Sequence, residues 1–241
     1  MDWFETWFDT PYYHILYKNH DFSEAENFIG KLSAVLSLPQ GSKIIDLACG
    51  RGRHSVFLNQ LGYDVLGLDL SQKSIAHNQQ FANASLQFRV HDMRTPIHGE
   101  QVDAVLNLFT SFGYFENDED DRKVFRAVHG ILKPGRFFVL DYLNHKFVRN
   151  NLEEKSHIER EGIVFNIRKS IQNNYIVKKI DFTDAGKAYS FFERVKLHTP
   201  ESIVAYAEDA GFERLKVWGD YSLSDFQEET SPRCINLFRK K

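Results

Sequence analysis

The sequence is poor in cysteine, and it has no excess of basic residues. Two cysteines in 241 residues, Cys49 and Cys234, exclude a disulfide-rich scaffold and form no pair of metal ligands. The 30 Lys and Arg against 33 Asp and Glu give a net charge of -3, which disfavours a dedicated nucleic-acid binder. No apolar run approaches the roughly 20 residues that cross a bilayer. These shortages predict a cytoplasmic protein with no metal and no membrane span, and they disfavour a nucleic-acid partner.

Residues 43–55 are the stretch from which a fold can be predicted. A short apolar run stops at small residues, turns through Gly50 and Gly52, and opens into a helical pattern. Glycine there permits backbone angles closed to other residues and lets a ligand approach the main chain. The next strand, residues 63–69, ends in Asp69 about twenty residues after the first glycine, where nucleotide folds bind ribose hydroxyls. This pattern predicts the first half of a Rossmann-like unit.

The residues around the glycine turn bear on which nucleotide is bound. A dinucleotide fingerprint has a third glycine where this chain has Ser55. Asp46 lies four residues before Gly50, and its carboxylate would repel a pyrophosphate but suits a ligand with an amino group. A nicotinamide oxidoreductase is therefore disfavoured, although it would share the fold class. Taken alone, the glycine turn could also be an ordinary connection between a strand and a helix, without a bound nucleotide.

The pattern Asp46-x-Ala48-x-Gly50-x-Gly52 resembles motif I of the class I S-adenosylmethionine-dependent methyltransferases, an acid followed by alternate glycines, with Ala48 replacing the first glycine. The resemblance implies that Asp46 and the turn from Ala48 through Cys49 to Gly52 hold the methionine part of S-adenosylmethionine. It also implies that Asp69 takes the ribose hydroxyls, with Leu70 beside it. The product would be S-adenosylhomocysteine.

Two later segments extend this resemblance. After the third strand, residues 86–90, Asp92 would accept a hydrogen bond from the adenine amino group and Met93 would pack on the ring. The segment after the fourth strand borders both the methyl group and the substrate in the family, so Asn107 and Phe109 are assigned to the cofactor site. Methyltransferases of nucleobase amino groups carry two prolines there, whereas this chain continues Leu108-Phe109-Thr110. The departure favours a small substrate.

The resemblance and the order of elements predict an α/β fold, a Rossmann-like doubly wound sheet of seven strands in the order 3-2-1-4-5-7-6. A helical aromatic arm or lid would occupy residues 1–40, and the methyltransferase domain would take residues 41–144 and 199–241. Between them, residues 145–198 alternate with period two and contain turn signals, which predicts an antiparallel β insertion. Such an insertion could cover the acceptor site or form a homodimer. A turn is predicted at residues 133–135.

Candidates for the acceptor site come from the arm, the fourth strand and the insertion. The aromatic residues of the arm pack a helix on the core, cover the cofactor, or do both, because ring faces favour a sulfonium cation. The candidates for substrate binding are Tyr13, Tyr17, Ser111, Phe112, Tyr114, Arg168, Arg194 and His198. The candidates for a general base are His14, Tyr142 and Asn144, and an enzyme without a base is equally open.

We therefore expect a small-molecule methyltransferase (EC 2.1.1) that transfers a methyl group to an N or O atom of its acceptor. Three alternatives remain. The chain could bind S-adenosylmethionine without catalysis, methylate a protein or an RNA, or use a nicotinamide cofactor instead.

Overall fold

A computed structural model of the chain describes residues 3–18 and 22–241, without the side chains of residues 5 and 22–24. Its strands are β1 (Lys43–Leu47), β2 (Asp64–Asp69), β3 (Leu86–Val90), β4 (Val102–Asn107), β5 (Leu132–Leu143), β6 (Lys155–Arg160), β7 (Ile163–Gln172), β8 (Tyr175–Asp184), β9 (Lys187–Lys196), β10 (Phe212–Trp218) and β11 (Arg233–Lys240). Its α-helices are α1 (Trp3–Trp7), α2 (Pro11–Leu16), α3 (Phe22–Leu36), α4 (Arg53–Gln60), α5 (Gln72–Asn78), α6 (Asp118–Ile131), α7 (His145–Asn150) and α8 (Pro200–Asp209). Each of these helices is too short or too polar to cross a membrane.

Seven strands form the main sheet in the order β10-β11-β5-β4-β1-β2-β3. Strands β1 to β5 pair in parallel, and β11 pairs antiparallel with both β5 and β10. The predicted order 3-2-1-4-5-7-6 is confirmed, because β10 and β11 are the sixth and seventh strands of this sheet. The carboxyl ends of β1, β2 and β4 therefore meet at one edge, where open α/β sheets bind their ligands.

The two faces of the sheet bury separate apolar clusters. Along β4, Ala104 and Leu106 face the cluster formed with α3, α4 and α5, whereas Val105 faces the cluster formed with α6 and α8. Parallel strands need helices on both faces, which accounts for six buried residues in succession in β4. This double covering leaves the strand ends as the accessible part of the sheet.

The predicted turn at Lys133-Pro134-Gly135 falls within the span of a strand instead. Strand β5 begins at Leu132, and its pairing with β4 shifts register between Val102 and Ala104. Gly135 has a φ of 73°, and the pairing with β4 passes from Leu132 to Phe137, so the chain bulges between these two residues. The irregularity follows from proline, which cannot donate to a ladder and is tolerated at such a bulge.

The insertion is a four-stranded antiparallel sheet in the order β6-β7-β8-β9, as predicted, preceded by the unpredicted short helix α7. One face buries a small core that includes Phe165, Ile167 and Ile180 and packs against Trp7 and Leu16 of the N-terminal helices. The insertion and the arm therefore form one unit above the carboxyl ends of the main sheet.

Hydrogen bonds tie the arm to both neighbouring parts. Trp7 Nε1 donates to Glu193 of β9 at 2.8 Å, and Tyr12 OH donates to Asp184 at the end of β8 at 2.9 Å. On the other side, Ser71 Oγ, just after β2, donates to Asp9. The helices α1 and α2 thus bridge the insertion and the main domain.

A buried ion pair fixes the point where the insertion returns to the main domain. Lys196, whose side chain is 7% exposed, donates from Nζ to Asp121 Oδ2 at 2.6 Å and to Asp118 Oδ1 at 2.9 Å. Both acids lie in the first turn of α6, where negative charge also complements the helix dipole. The acidic run at the start of α6 therefore has a structural partner.

We expect Asp121→Asn to lower the free energy of unfolding by about 3 kcal/mol, the lower end of the range for a broken buried ion pair, because the Lys196 ammonium keeps only the partly exposed Asp118 carboxylate as a counter-charge. The matched control is Asp118→Asn, since the Asp118 side chain is 66% exposed. Its cost should stay below about 1 kcal/mol. Urea denaturation at pH 7 measures both, and equal losses in the two variants would contradict this account of the ion pair.

Candidate cofactor and acceptor site

The turn between β1 and α4 has the backbone conformation that its glycines permit. Ala48, Gly50 and Gly52 have φ values of 60°, 53° and 74°. Gly52 begins helix α4, and a Cβ atom there would lie 2.9 Å from the ring of Phe88. At Gly50 the corresponding position is open, with no atom within 4 Å among the described residues. The turn therefore exposes its main chain to the cavity at Gly50 and packs against β3 at Gly52.

Asp69 joins the turns that follow β1 and β2. Its Oδ2 accepts the main-chain N–H of Gly50 and its Oδ1 accepts that of Ser71, each at 2.8 Å. Burial raises the pKa of Asp69, and these two hydrogen bonds act in the opposite direction. The carboxylate is thus held in place while its edge borders the cavity.

Asp46 lies at the end of β1, beneath the glycine turn, and is 1% exposed. Ser55, the residue at the position of a third glycine, donates from Oγ to Asp46 Oδ2 at 2.6 Å. Burial raises the pKa of Asp46 to about 6. A cationic ligand group nearby would lower that pKa again, since it favours the ionised carboxylate.

Asp92 and Met93 follow β3 and also border the cavity. Arg94 donates to the Asp92 carboxylate from Nε at 3.0 Å and from Nη2 at 2.7 Å. Burial acts to raise the pKa of Asp92, and the hydrogen bonds from Arg94 outweigh it, so the pKa is lowered. Asp92 is therefore an ionised acceptor at neutral pH.

These groups border a cavity of about 1080 Å³ at the carboxyl ends of the strands. Small-molecule sites usually measure about 300–1,000 Å³, so it has room for a nucleoside cofactor and a second small molecule. The predicted residues that line it are Tyr13, His14, Tyr17, Asp46, Ala48, Cys49, Gly50, Asp69, Leu70, Asp92, Met93, Phe109, Ser111 and Tyr114. The sequence thus places most of the proposed cofactor residues in one space.

Three predicted residues lie behind the cavity wall. Asn107 is buried and donates from Nδ2 to the carbonyl oxygen of Leu47 at 3.0 Å, which ties β4 to β1. Phe112 is buried against Phe125 and Tyr142, and Gly52 packs on Phe88. These residues support the shape of the site from the core.

Of the three candidate bases, His14 borders the cavity, whereas Tyr142 and Asn144 lie elsewhere. Tyr142 is buried and donates to the carbonyl oxygen of Lys196 at 2.6 Å. Asn144 caps helix α7 and donates to the carbonyl oxygens of Glu228 and Ser231. Both side chains point away from the cleft because β5 runs on to Leu143, past the edge where the neighbouring strands end. Burial, reinforced by the charge of Arg51, lowers the pKa of His14 to about 4.

The three predicted residues of the insertion also lie away from the cavity. Arg168 pairs with Asp181 at 2.7 Å on the outer face, and Arg194 pairs with Glu116 at 2.8 Å. His198 is buried, with Nε2 3.3 Å from Asp121 Oδ2. For Arg194 the reason is the alternation of side chains along β9. Residues 193 and 195 face the cavity, so residue 194 faces the other way.

Glu193 was missed by the sequence analysis. It shares the inward side of β9 with Phe191, Val195 and Leu197, so an acid in an apolar series was the available signal. Its carboxylate accepts Trp7 Nε1 and Tyr17 OH, the latter at 2.7 Å, and lies 3.5 Å from Lys178 Nζ. Asp9 was missed as well, and Trp3, Phe4 and Phe8 were predicted only as part of the aromatic arm or lid, because their contacts are distant in sequence.

Aromatic rings line the half of the cavity next to Glu193. The Trp3 and Tyr114 rings are 5.3 Å apart, and the Phe8 and Tyr13 rings are 4.8 Å apart. Burial raises the pKa of Tyr13, and the charges of Glu193 and Asp69 add to it. The phenol therefore stays protonated, close to both carboxylates.

The sheet order, the glycine turn and the two strand-end acids define a class I nucleotide-binding methyltransferase fold. A family model described as a methyltransferase domain matches residues 44–135. The chain is 27% identical over 215 residues to YqeM of Bacillus subtilis (strain 168), designated a methyltransferase, with 85% of each chain covered. It is also 27% identical over 213 residues to a glycine/sarcosine N-methyltransferase of Halorhodospira halochloris, covering 83% of this chain and 74% of the relative.

Among solved structures, an S-adenosylmethionine-dependent methyltransferase from Clostridium acetobutylicum ATCC 824 superposes with a TM-score of 0.80. The sequences are 18% identical, and 95% of this chain and 96% of the other are covered. The chain has the fold of the class I S-adenosylmethionine-dependent methyltransferases, and the matched family model and these relatives support that family and S-adenosylmethionine as the cofactor.

We expect Asp69→Ala and Gly50→Val each to abolish S-adenosylmethionine binding measured by calorimetry. The first removes the carboxylate that we expect to accept the ribose hydroxyls and frees the turn, and the second forces a β-branched residue into a left-handed conformation. Glu213→Ala is the control, because Glu213 lies on the edge strand β10 and pairs there with Arg239. Unchanged affinity in either variant would refute this cradle.

We also expect the affinity for S-adenosylmethionine to fall as the pH drops through about 6, the pKa of Asp46. The cofactor's ammonium group favours the ionised carboxylate, so each pH unit below that pKa costs up to about tenfold in affinity. Calorimetry between pH 5 and pH 8, at about constant ionic strength, tests this sign. In Asp46→Asn the slope should disappear, and a slope that persists there would assign the titration to another group.

Proposed function

We propose that this protein transfers the methyl group of S-adenosylmethionine to a nitrogen atom of a small amine. One observation carries the proposal: the cofactor cradle and an aromatic half containing the Glu193 carboxylate share a single cavity. Asp46, Asp69 and Asp92 would hold the amino acid, ribose and adenine parts of the cofactor in turn. The remaining space would then be the acceptor site.

The aromatic half suits a cationic or amine acceptor. Ring faces attract cations, and a carboxylate near them adds a full negative charge. Glu193 also has Lys178 at 3.5 Å, so an incoming ammonium group would compete with that lysine for the carboxylate. The glycine/sarcosine N-methyltransferase among the relatives acts on amines and supports this choice of acceptor.

The titratable groups favour nitrogen over oxygen as the methyl acceptor. A hydroxyl acceptor needs a base to remove its proton, which is efficient when the base has a pKa near the working pH. The pKa values of His14 and His54, which border the cavity, are lowered by burial to about 4 and about 3. An amine that arrives as an ammonium ion first loses a proton to solvent, and the neutral amine then carries the lone pair that attacks without help from a base.

The proposed reaction is a displacement at the methyl carbon. The amine lone pair forms the new C–N bond, the C–S bond breaks, and its electrons remain on the sulfur of S-adenosylhomocysteine. The methylated nitrogen carries the positive charge until its proton leaves. Alignment of nitrogen, carbon and sulfur can supply about 7–11 kcal/mol, so walls that hold both molecules are the main requirement.

The arm and the insertion would form the walls around the acceptor. Tyr17 donates to Glu193, and Tyr114 donates to the carbonyl oxygen of Thr110 at 2.5 Å. Burial raises the pKa values of both phenols, so they would orient the acceptor by hydrogen bonding without acting as bases. This arrangement favours a small acceptor over a protein or RNA, which would need an open groove.

We expect the purified protein to transfer tritium from methyl-labelled S-adenosylmethionine to an amine in a panel of glycine, sarcosine and an amino sugar. Catechol and a phenolic acid serve as oxygen acceptors. The measurement is labelled product identified by mass spectrometry together with S-adenosylhomocysteine. Label in the oxygen acceptors alone would contradict the choice of nitrogen, and cofactor binding without any transfer would favour a non-catalytic binding protein.

Glu193→Gln tests the acceptor half separately. Loss of a charged hydrogen-bond partner is typically worth about 1.5–3 kcal/mol, so we expect KM for the amine to rise about tenfold or more. The affinity for S-adenosylhomocysteine should stay near its original value. Glu159→Gln, on the exposed side of β6, is the matched control. An unchanged KM in Glu193→Gln would remove this residue from the acceptor site.

A further inference from the structure

The segment that follows β4 has an unusual backbone. Leu108, Phe109, Thr110 and Ser111 all line the cavity. Phe109 and Thr110 have φ values of 58° and 60°, so two successive residues other than glycine are left-handed. A β-branched residue such as threonine is a genuine outlier there. Such strain persists when the surrounding structure determines it, and it is common at functional sites.

Two residues behind the cavity wall hold this conformation. Asp141, in β5, accepts the main-chain N–H of Phe109 on Oδ2 at 2.7 Å, and the N–H of Thr110 donates to its carbonyl oxygen at 3.3 Å. Arg233, at the start of β11, donates from Nε to Asp141 Oδ1 at 2.8 Å and from Nη2 to Thr110 Oγ1 at 2.6 Å. The same Nη2 lies 2.7 Å from Asp141 Oδ1.

This pair is buried beside the site without forming its surface. The Asp141 side chain is 0% exposed and that of Arg233 is 17% exposed. Neither is among the described residues that line the cavity. The planar fork of arginine contacts both partners from fixed directions, which a lysine ammonium cannot reproduce. Asp141 and Arg233 therefore act on the site through Phe109 and Thr110.

The ring of Phe109 is fixed from both sides. It stacks on His54 with ring centroids 4.8 Å apart and on Tyr221 with centroids also 4.8 Å apart, at interplanar angles of 25° and 24°. Tyr221 OH in turn donates to Asp141 Oδ2 at 3.2 Å. The main chain and the ring of residue 109 therefore depend on the same carboxylate.

The location of residues 108–111 explains why their conformation matters to the site. Strand β4 lies next to β1, whose turn forms the cofactor cradle, and Thr110 accepts Tyr114 of the aromatic half on its carbonyl oxygen. The four residues thus connect the strand beside the cofactor cradle to Tyr114 of the aromatic half. Any shift in them moves one half relative to the other.

We infer that Asp141 and Arg233 are positioning residues, which hold Phe109 and Thr110 in the left-handed conformation that sets the placement of acceptor against cofactor. The inference rests on the proposed methyl transfer. A misplacement of about 1 Å can cost about 100-fold in rate while leaving binding little changed. We therefore expect variants of these residues to have a lower kcat but an unchanged affinity for the cofactor and an unchanged thermal stability.

The test uses Thr110→Val, which keeps the shape but removes the oxygen that Arg233 contacts, against Thr110→Ser, which keeps that oxygen. Arg233→Lys keeps the positive charge beside Asp141 but loses the fork. We expect Thr110→Val and Arg233→Lys each to lower kcat on the amine found in the labelled panel by about 10- to 100-fold. Thr110→Ser should stay near the original rate, and the double variant should be no slower than the slower single one, since both changes break the same contact.

Hydrogen exchange followed by mass spectrometry supplies a readout that needs no acceptor. Exchange in the peptide spanning residues 108–112 should accelerate in Thr110→Val and Arg233→Lys, with the affinity for S-adenosylhomocysteine and the thermal midpoint unchanged. Unchanged exchange overturns the inference whether or not an acceptor is found, and an empty panel alone overturns the proposed function. Faster exchange with full kcat, additive losses in the double variant, or a parallel fall in thermal midpoint would each show a structural role instead and overturn it.

Discussion

The hydrogen bonds from the main chains of Gly50 and Ser71 to the Asp69 carboxylate are the constraint on which the cofactor cradle depends. One side chain at the end of β2 fixes the turns after both β1 and β2, so the glycine turn cannot change shape independently of Asp69. Because these bonds form on folding, the cradle is organised before any ligand arrives. Binding then requires little rearrangement of the main chain, which lowers the ordering cost that association otherwise carries.

The sheet sets the spacing between the parts of the proposed site. Neighbouring strands lie about 4.8 Å apart, so acids at the ends of β1, β2 and β3 are spread at regular intervals along one edge. An elongated ligand that carries an ammonium group, a sugar and a base fits such a row. The acceptor half is built differently, since it lies above the edge and comes from the arm and the antiparallel insertion. The first part thus follows from the sheet, and the second from elements that are added to it.

That division explains how much the sequence could predict. The first strands, the glycine turn, and Asp46 and Asp69 were visible in local patterns, because period, turn chemistry and spacing are properties of neighbouring residues. The strand order came from the resemblance to the methyltransferase family. Tyr142 and Asn144 were assigned to the site because they lie near the end of a strand. Strand β5 extends past the ends of its neighbours, so Tyr142 contacts Lys196 and Asn144 contacts the loop before β11. Arg168 and Arg194 lie on outward positions of their strands. Glu193 needed knowledge of which face of β9 covers the cavity, a contact across 176 residues from Tyr17.

The position of the arm between the insertion and the main domain affects how ligands enter and leave the cavity. Its anchors end on two separate bodies, Glu193 and Asp184 of the insertion on one side and Ser71 of the nucleotide half on the other. A lid attached to only one part of the protein opens by moving about that attachment. This arm is attached to two parts, so it opens when its hydrogen bonds to either part break. Movement of the arm away from the insertion breaks the hydrogen bonds of Trp7 and Tyr12, whereas movement away from the nucleotide half breaks that between Ser71 and Asp9. The two sets of bonds share no residue, so either set can break while the other remains.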